Sequence, residues 1–168
     1  ARTRLGPMEA CEQTVRARLD ALAKPPGSLA LLEDLAAFVA RAQRTDAPYV
    51  TKPRVLIFAA DHGVARAHPV SAFPAAVTPK MVETMLRGRS AVCVLARSAG
   101  ADLDLVDLGV ALPYTHPGTD TRAPFVRLFE ARLRAGTSDL VTESAMTRDE
   151  AERAMAVGAD TVDRAKAE

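Results

Sequence analysis

The stretch RVLIFAADHGV, residues 54–64, decides the fold of this chain. Residues 54–60 form an almost continuous apolar run that is too short for a helix and fits a strand covered on both faces, as in a parallel α/β sheet. The run ends at Asp61, His62 and Gly63, and the loops that follow strands in open α/β sheets gather there to form ligand crevices. The sequence therefore predicts a buried strand with a candidate site at its end.

A second strand is predicted to follow the first after one helix. Thr78 is expected to cap this helix and Pro79 to occupy its first position, and the apolar spacing extends it to about Ser98. Residues 103–106 then form a strand that closes at residues 107–110. A strand, a helix and a strand in this order form a crossover connection, which is right-handed in almost all proteins.

The N-terminal part of the chain is predicted to be a helical hairpin. A first helix spans about residues 8–23, and KPPGS at residues 24–28 ends it, because adjacent prolines remove amide donors and glycine permits a reversal. Ser28 is expected to cap the second helix. The apolar stripe of that helix comprises Leu32, Leu35, Ala36 and Val39. We therefore expect the hairpin of a small domain at residues 1–50 and an α/β domain at residues 51–168.

The last third of the chain completes the predicted fold. Residues 111–124 carry three prolines and are expected to form a loop, and residues 125–128 a short strand. TRDE at residues 147–150 is a capping box, from which a helix runs to near Lys166. The predicted fold class is α/β, with an N-terminal helical hairpin followed by part of a parallel sheet with flanking helices.

The composition excludes several classes of function. Lys and Arg number 22 against 21 Asp and Glu, and the formal charge of +1 offers no broad positive field for nucleic acid. No apolar run reaches the ~20 residues of a membrane span, and the N-terminus lacks the apolar core of a secretory signal, so we expect a cytoplasmic protein without a membrane partner. Cys11 and Cys93 lie in amphipathic patterns where a small buried residue fits. We expect neither a metal nor a cofactor.

Two interpretations of the segment after the first strand remain open. In the structural one, Asp61 accepts hydrogen bonds from loop amides, His62 packs or faces water, and Gly63 supplies a positive φ. In the other, imidazole and carboxylate groups bind a divalent ion, as in a metal hydrolase. The ligands would be Asp61, His62, His68 and His116. The sequence has no His-x-x-x-His pair on a helix, so the pattern favours the structural interpretation.

Three polar segments also have a structural interpretation beside a functional one. Residues 24–28 either bind an anion through the lysine ammonium and a helix N-terminus or form a turn with a solvated lysine. GTS at residues 136–138 is either an anion-binding loop or a turn. In both segments the turn is favoured. Asp102 and Asp104 are expected to be solvated, and only Asp107 is expected to face the crevice.

A resemblance to a known family extends from about Leu22 to Gly158. The segments that carry it are KPPGSL (24–29), LEDLA (32–36), FAADHGV (58–64), VSAFP (70–74), VT (77–78), MV (81–82), AVCVLAR (91–97), VDLGV (106–110), GT (136–137) and AMT (145–147). In this order they resemble the nicotinate-nucleotide:dimethylbenzimidazole phosphoribosyltransferase family. One segment alone carries little weight, whereas the shared order of all of them is specific.

The resemblance implies an enzyme of cobalamin nucleotide-loop assembly. Members of the family move the ribose phosphate of nicotinate mononucleotide onto dimethylbenzimidazole, giving α-ribazole phosphate and nicotinate. They are homodimers with a small helical domain and a larger, Rossmann-like α/β domain. The resemblance is to the N-terminal half of the family, whose later segments hold a Gly-rich phosphate loop and a general-base glutamate. No residue of this chain matches that glutamate, so the resemblance implies no catalytic residue here.

The same resemblance implies which residues contact the substrates. Ser71 and Phe73 correspond to family positions near the benzimidazole, where a hydroxyl and a ring suit a flat apolar heterocycle. Lys80 replaces a family Gln near that pocket and exchanges a neutral amide for a cation. The predicted substrate-binding residues are Asp61, His62, Ser71, Phe73, Lys80 and Met81. Asp61, held by loop amides, is expected to orient the site rather than to accept a proton.

A second hypothesis keeps the fold without the reaction. The chain would then be a non-catalytic module that binds the base or contributes to assembly. Continuation of the sequence into a Gly-rich loop and a late Gly-Glu-Gly segment would favour the enzyme.

Overall fold

The computed structural model describes residues 6–168 and divides the chain into two compact units. One unit ends at Thr51, and the other spans Lys52–Glu168. The described part of the first unit holds two helices, and the second unit holds the sheet and its flanking helices. No helix within residues 6–168 is long and apolar enough to cross a membrane.

The first unit consists of α1 at Pro7–Asp20 and α2 at Leu31–Gln43, so the predicted helical hairpin is confirmed. The two helices pack against each other. Val15, Ala37 and Ala40 are buried, and the two alanines allow the helix backbones to approach closely because their side chains are short. The contact is therefore made by small residues.

The predicted apolar stripe of α2 is not the buried face of the helix. Leu32 and Leu35 are 63% and 48% exposed, whereas Ala36 and Val39 are only partly buried. Ser28 does not cap the helix either. The residue before α2 is Ala30, which has a φ of 46° and makes no side-chain capping hydrogen bond.

The turn between the two helices does not leave its lysine in solvent. The Lys24 ammonium donates to Glu33 Oε1 at 2.8 Å, and both side chains are largely buried. The amide of Leu29 donates to the same oxygen at 3.1 Å. The hydrogen bond from Lys24 holds the pKa of Glu33 below its ordinary value. The turn interpretation is confirmed. The prediction that its lysine is solvated is wrong, because the ammonium binds Glu33.

Three parallel strands form the sheet of the second unit, β1 at Arg54–Ala60, β2 at Asp102–Gly109 and β3 at Val126–Glu130. Their order in the sheet is β1-β2-β3, which confirms the predicted α/β fold class. The central strand is buried, and Leu105 has no exposed surface. The strand β1 was expected to be covered on both faces, but it is only partly covered, and Phe58 is 43% exposed.

Three helices connect β1 to β2, namely α3 at Gly63–Ala67, α4 at Val77–Leu86 and α5 at Ala91–Ser98. The single long helix predicted for this connection is wrong. Gly88 has a φ of 69°, a left-handed conformation that glycine adopts without strain and that ends α4. The side chain of Ser90 then caps α5.

The last helix, α6 at Arg148–Ala167, begins at the predicted capping box. Thr147 Oγ1 accepts from the amide of Glu150 at 3.2 Å, and Glu150 Oε2 accepts from the amide of Thr147 at 2.8 Å. A one-turn 3-10 helix at Thr119–Thr121 interrupts the loop before β3. Of the two cysteines, Cys93 is fully buried, as expected, and Cys11 is partly exposed.

An ion cluster lies toward the amino ends of the strands and corrects the prediction for Asp104. This residue is 1% exposed, and Arg127 donates to both of its oxygens at 2.9 and 3.0 Å. Arg54 donates to it at 3.3 Å. Glu168 lies 2.7 Å from each arginine. The side chain of Asp102, by contrast with Asp104, is 58% exposed, as expected. A buried carboxylate needs such partners because desolvation disfavours its charge.

Candidate functional site

A cavity of about 320 Å³ lies at the carboxyl end of β1, and we call it the α4 cavity. Its walls come from the end of β1, the loop that precedes α4 and the first turns of α4. The lining residues are Ala60, Asp61, His62, Ala65, Ser71, Phe73, Pro74, Ala75, Val77, Thr78 and Met81. Five of the six predicted site residues therefore line one cavity. The size falls within the range of small-molecule sites.

Asp61 is the buried polar group of this cavity, with 6% of its surface exposed. Its Oδ2 accepts from the amide of Ala111 at 2.7 Å, so the expected hydrogen bond from a loop amide is present. Its Oδ1 accepts from the hydroxyl of Thr78 at 2.6 Å. Thr78 is the second residue of α4 rather than its cap, and the sequence prediction missed its contact with Asp61.

Ser71 and Phe73 form the outer rim of the α4 cavity. The Ser71 hydroxyl donates to the carbonyl of Phe73 at 2.9 Å and accepts from the amide of Phe73 at 3.2 Å. This pair of hydrogen bonds closes a local turn. Phe73 is 69% exposed.

The two predicted residues on α4 differ in position. Met81 lines the α4 cavity and is 42% exposed. Lys80 is exposed and lies outside the lining residues. Its carbonyl accepts from the hydroxyl of Thr84 at 2.7 Å.

The start of α3 is locked to the loop at residues 136–139. A Cβ on Gly63 would lie 2.4 Å from the carbonyl carbon of Ser138, so only glycine fits there. The expected positive φ of Gly63 is wrong, because the residue does not have one and glycine is required by close approach instead. The amide of Gly63 donates to Thr137 Oγ1 at 3.2 Å.

The same loop does not present free amides to an anion. The amides of Gly136, Thr137 and Ser138 donate to the carbonyls of Arg134, Asp61 and Ala145, each at 3.0 Å. The structure thus confirms a turn at residues 136–138, as favoured from the sequence.

A second cavity, of about 150 Å³, lies near the start of α6, and we call it the α6 cavity. It shares Ala60, Asp61 and His62 with the α4 cavity. The remaining lining residues are Leu108, Gly109, Leu133, Arg134, Gly136, Thr137, Met146, Glu150 and Ala154. The Arg134 guanidinium is 3.4 Å from Glu150, and the Thr147 amide holds the pKa of Glu150 below its ordinary value.

Asp107, at the end of β2, is 1% exposed and fully engaged. Its Oδ1 accepts from the amides of Gly109 and Val110 at 3.0 and 2.9 Å. Its Oδ2 accepts from the Arg132 guanidinium at 2.9 Å and the Tyr114 hydroxyl at 3.0 Å. Burial, with this last hydrogen bond, raises the pKa of Tyr114 to about 12. Asp107 lines neither cavity, so its predicted place at the crevice is wrong.

The metal-hydrolase interpretation is not supported, because its four proposed ligands are not gathered. His68 pairs with Asp139 at 2.9 Å, and His116 lies 3.5 Å from Glu130 and stacks on Tyr114. Residues 6–168 contain no group of three or more His, Cys, Asp or Glu side chains placed to hold a metal ion.

The fold is that of an α/β protein, and its cavities lie at the carboxyl ends of parallel strands, where proteins of this class bind small molecules. Comparison with known proteins is more specific. A family model described as phosphoribosyltransferase matches residues 6–168, and the chain belongs to this family.

Individual relatives agree with this assignment. The chain is 46% identical over 157 residues to a nicotinate-nucleotide–dimethylbenzimidazole phosphoribosyltransferase of Chloroflexus aggregans, covering 92% of this chain and 41% of the relative. The protein of the same name from Ralstonia nicotianae is 43% identical over 148 residues, covering 88% of this chain and 40% of the relative. The chain thus spans about two fifths of the length of these relatives.

A solved structure extends the similarity to three dimensions. The crystal structure of CobT from Thermus thermophilus superposes with a TM-score of 0.75 at 38% identity. The superposition covers 94% of this chain and 45% of that chain. The fold of both units is therefore represented in a solved relative.

Proposed function

We propose that this chain supplies the acceptor-base pocket of a phosphoribosyltransferase that moves ribose phosphate from nicotinate mononucleotide to dimethylbenzimidazole. The products would be α-ribazole phosphate, a component of the cobalamin nucleotide loop, and nicotinate. The observation that carries the proposal is the α4 cavity, in which five of the six residues assigned to substrate binding from the sequence lie together. The names of the relatives support the choice of substrates.

The chemistry of the α4 cavity suits a flat heterocycle with one polar edge. Val77, Met81 and the ring of Phe73 offer apolar surface, on which an aromatic ligand gains burial and stacking energy. Asp61 lies among these apolar groups as an acceptor. Each carboxylate oxygen has two lone pairs, so Asp61 keeps capacity for a further hydrogen-bond donor while it binds Thr78 and Ala111.

The transfer also needs a proton acceptor, because the benzimidazole must lose its one ring N–H proton when a ring nitrogen bonds to the ribose. The glutamate that serves this purpose in the family has no counterpart in this chain. Asp61 already accepts hydrogen bonds from a hydroxyl and an amide, so its proposed role is to orient the benzimidazole. The proposed contribution of the chain is therefore recognition, and the proton acceptor comes from another part of the enzyme.

The proposal also covers the domains, the oligomeric state and the cellular location of the protein. We assign residues 1–50 to a small helical domain and residues 51–168 to the α/β domain of a cytoplasmic homodimer. The family resemblance supports this assignment. Light scattering of the purified protein at several concentrations, together with cell fractionation, would test it.

The base pocket is tested by Phe73→Ala in the full polypeptide that carries this chain. Loss of the ring should weaken dimethylbenzimidazole binding by ~1–3 kcal/mol and leave nicotinate mononucleotide binding nearly unchanged. The matched control is Phe38→Ala, because Phe38 is 63% exposed against 69% for Phe73 and lies on α2. Calorimetry with each ligand separates the cases, and equal losses for both ligands would indicate a folding defect.

Turnover distinguishes the enzyme from the non-catalytic module. We expect residues 1–168 alone to release no nicotinate above background from nicotinate mononucleotide and dimethylbenzimidazole, and we expect turnover when the remaining family segments are supplied. Production of α-ribazole phosphate by residues 1–168, abolished by Asp61→Asn, would make Asp61 the base. Binding of dimethylbenzimidazole without turnover under either condition would establish the module.

A further inference from the structure

We propose that Thr78 is a positioning residue that acts through Asp61 and fixes the position of α4 beside the α4 cavity. This inference rests on the proposed function, because the effect that it predicts is on binding of the benzimidazole. Thr78 donates a hydrogen bond to the carboxylate of Asp61 and is not one of the six residues assigned to substrate binding from the sequence.

The carboxylate of Asp61 joins three elements of the fold. Thr78, in the first turn of α4, donates to Oδ1 at 2.6 Å, and Ala111, after β2, donates to Oδ2 at 2.7 Å. Asp61 itself follows β1 and is 6% exposed. Hydrogen bonds to a charged and buried acceptor are stronger than those between neutral groups. The three elements are therefore held at one point beside the cavity.

Thr78 is the side-chain tie between α4 and that point. The residue before α4, Ala76, makes no side-chain capping hydrogen bond, so capping does not anchor the start of the helix. Thr84, on the same helix, shows the ordinary behaviour of a helical threonine, because its hydroxyl donates to the carbonyl of Lys80 within the helix. The hydroxyl of Thr78 instead leaves its helix.

The position of α4 matters to the ligand because its first turns form one wall of the cavity. Val77 and Met81 lie on either side of Thr78 in sequence and line the cavity with it. Asp61 and His62, which follow β1, line the same cavity. A change in the distance from Thr78 to Asp61 would therefore move the part of the lining that belongs to α4 relative to the part that follows β1.

The test compares Thr78→Val, which keeps the shape and removes the hydroxyl, with Thr78→Ser, which keeps the hydroxyl. In the full polypeptide, Thr78→Val should weaken dimethylbenzimidazole binding about tenfold, the scale of one charged hydrogen bond. Thr78→Ser should stay within about twofold of the unsubstituted protein, and nicotinate mononucleotide binding should not change in either variant. Calorimetry with each ligand measures the two affinities.

Thr84→Val is the matched control, because it removes a hydroxyl from the same helix without touching Asp61. Equal weakening by Thr84→Val and Thr78→Val would overturn the proposal, as would equal weakening by Thr78→Val and Thr78→Ser. Weakening of both ligands alike would also overturn it, because a general loss of order has no preference between them. In an Asp61→Ala background, Thr78→Val should have no further effect.

Amide hydrogen exchange separates this proposal from the proposed function. In Thr78→Val the amide of Ala111 should exchange faster without any ligand, since Asp61 is then free to rotate. If the unsubstituted protein does not bind dimethylbenzimidazole, the proposed function and the positioning of that base both fail. Faster exchange of Ala111 would then identify Thr78 as a structural tie alone. If the base binds the unsubstituted protein and Thr78→Val equally, only the positioning role fails.

Discussion

Two buried carboxylates, Asp104 near the amino ends of the strands and Asp61 after β1, are held in opposite ways. Toward the amino ends, Asp104 is neutralised by Arg54 and Arg127, which Glu168 joins. At the carboxyl end of β1, Asp61 is held by a hydroxyl and an amide. Both carboxylates are largely buried, but Asp104 has cationic partners and Asp61 has neutral ones.

The different partners of Asp104 and Asp61 suit different roles, stabilisation of the fold for Asp104 and ligand binding for Asp61. A carboxylate that is saturated by guanidinium groups has little remaining capacity, and its removal leaves charges without a partner. A carboxylate held by two neutral donors keeps spare lone pairs at the edge of a cavity. We therefore expect substitutions at the amino ends to change the free energy of unfolding, and those around Asp61 to change binding as well.

The largest effect is expected from Asp104→Ala. Removal of this carboxylate leaves Arg54 and Arg127 facing each other, although both keep Glu168, so we expect a loss of about 3 kcal/mol, at the low end for a broken buried pair. Asp102→Ala is the control, because its exposed side chain should matter by less than about 0.5 kcal/mol. Chemical denaturation measures both, and equal losses would contradict the proposed contrast.

A smaller effect on stability, combined with an effect on binding, is expected from Gly63→Ala. The added Cβ would meet the backbone of Ser138 at 2.4 Å, and the forced displacement should cost about 1–3 kcal/mol. It should also weaken ligand binding, since Asp61 precedes this contact by two residues. Gly118→Ala is the control, with no heavy atom within 4 Å of its Cβ and a φ of −60°. A variant that is destabilised but binds normally would show that the lock at residue 63 is independent of the cavity.

The smallest effect is a pH dependence at Tyr114. Its pKa is raised to about 12 in the folded state, above the ordinary value of about 10, so the folded state favours the neutral phenol. The stability from this group is fully present below about pH 10 and is lost as the pH rises toward 12. The measurement is the difference in unfolding free energy between the unsubstituted protein and Tyr114→Phe from pH 9 to about 12. A difference that does not change across this interval would refute the link to Asp107.

The sequence predicted the elements that depend on local pattern. The apolar residues of β1 and β2 identified two strands, and the capping box at residues 147–150 identified the start of α6. The break between α4 and α5 was missed because the apolar spacing continues through it. A Cβ on Gly88 would lie 2.8 Å from Cβ of Ala123, and no local pattern predicts a contact across the loop before β3.

The sequence named five residues that line the α4 cavity, but it did not predict the hydrogen bonds that hold Asp61 there. The end of β1 placed Asp61 and His62, and the family resemblance placed Ser71, Phe73 and Met81. The partner of Asp61 on α4 was missed because Thr78 has the features of a helix cap. Asp104 was misassigned for a similar reason, since alternation with leucines is typical of an exposed face. Its arginines lie on the two neighbouring strands, and their register is a property of the assembled sheet.

The ion cluster at the amino ends also bears on the order in which the sheet forms. Asp104 meets Arg127 across 23 residues of chain and Arg54 across 50. Loop-closure entropy grows with the logarithm of length, so the twofold longer loop costs about 0.6 kcal/mol more to close. We expect β2 to pair with β3 before β1 in the folding transition state, with β1, the strand that precedes Asp61, added last. Higher φ-values for conservative substitutions in β3 than in β1 would show this order, and the reverse ranking would refute it.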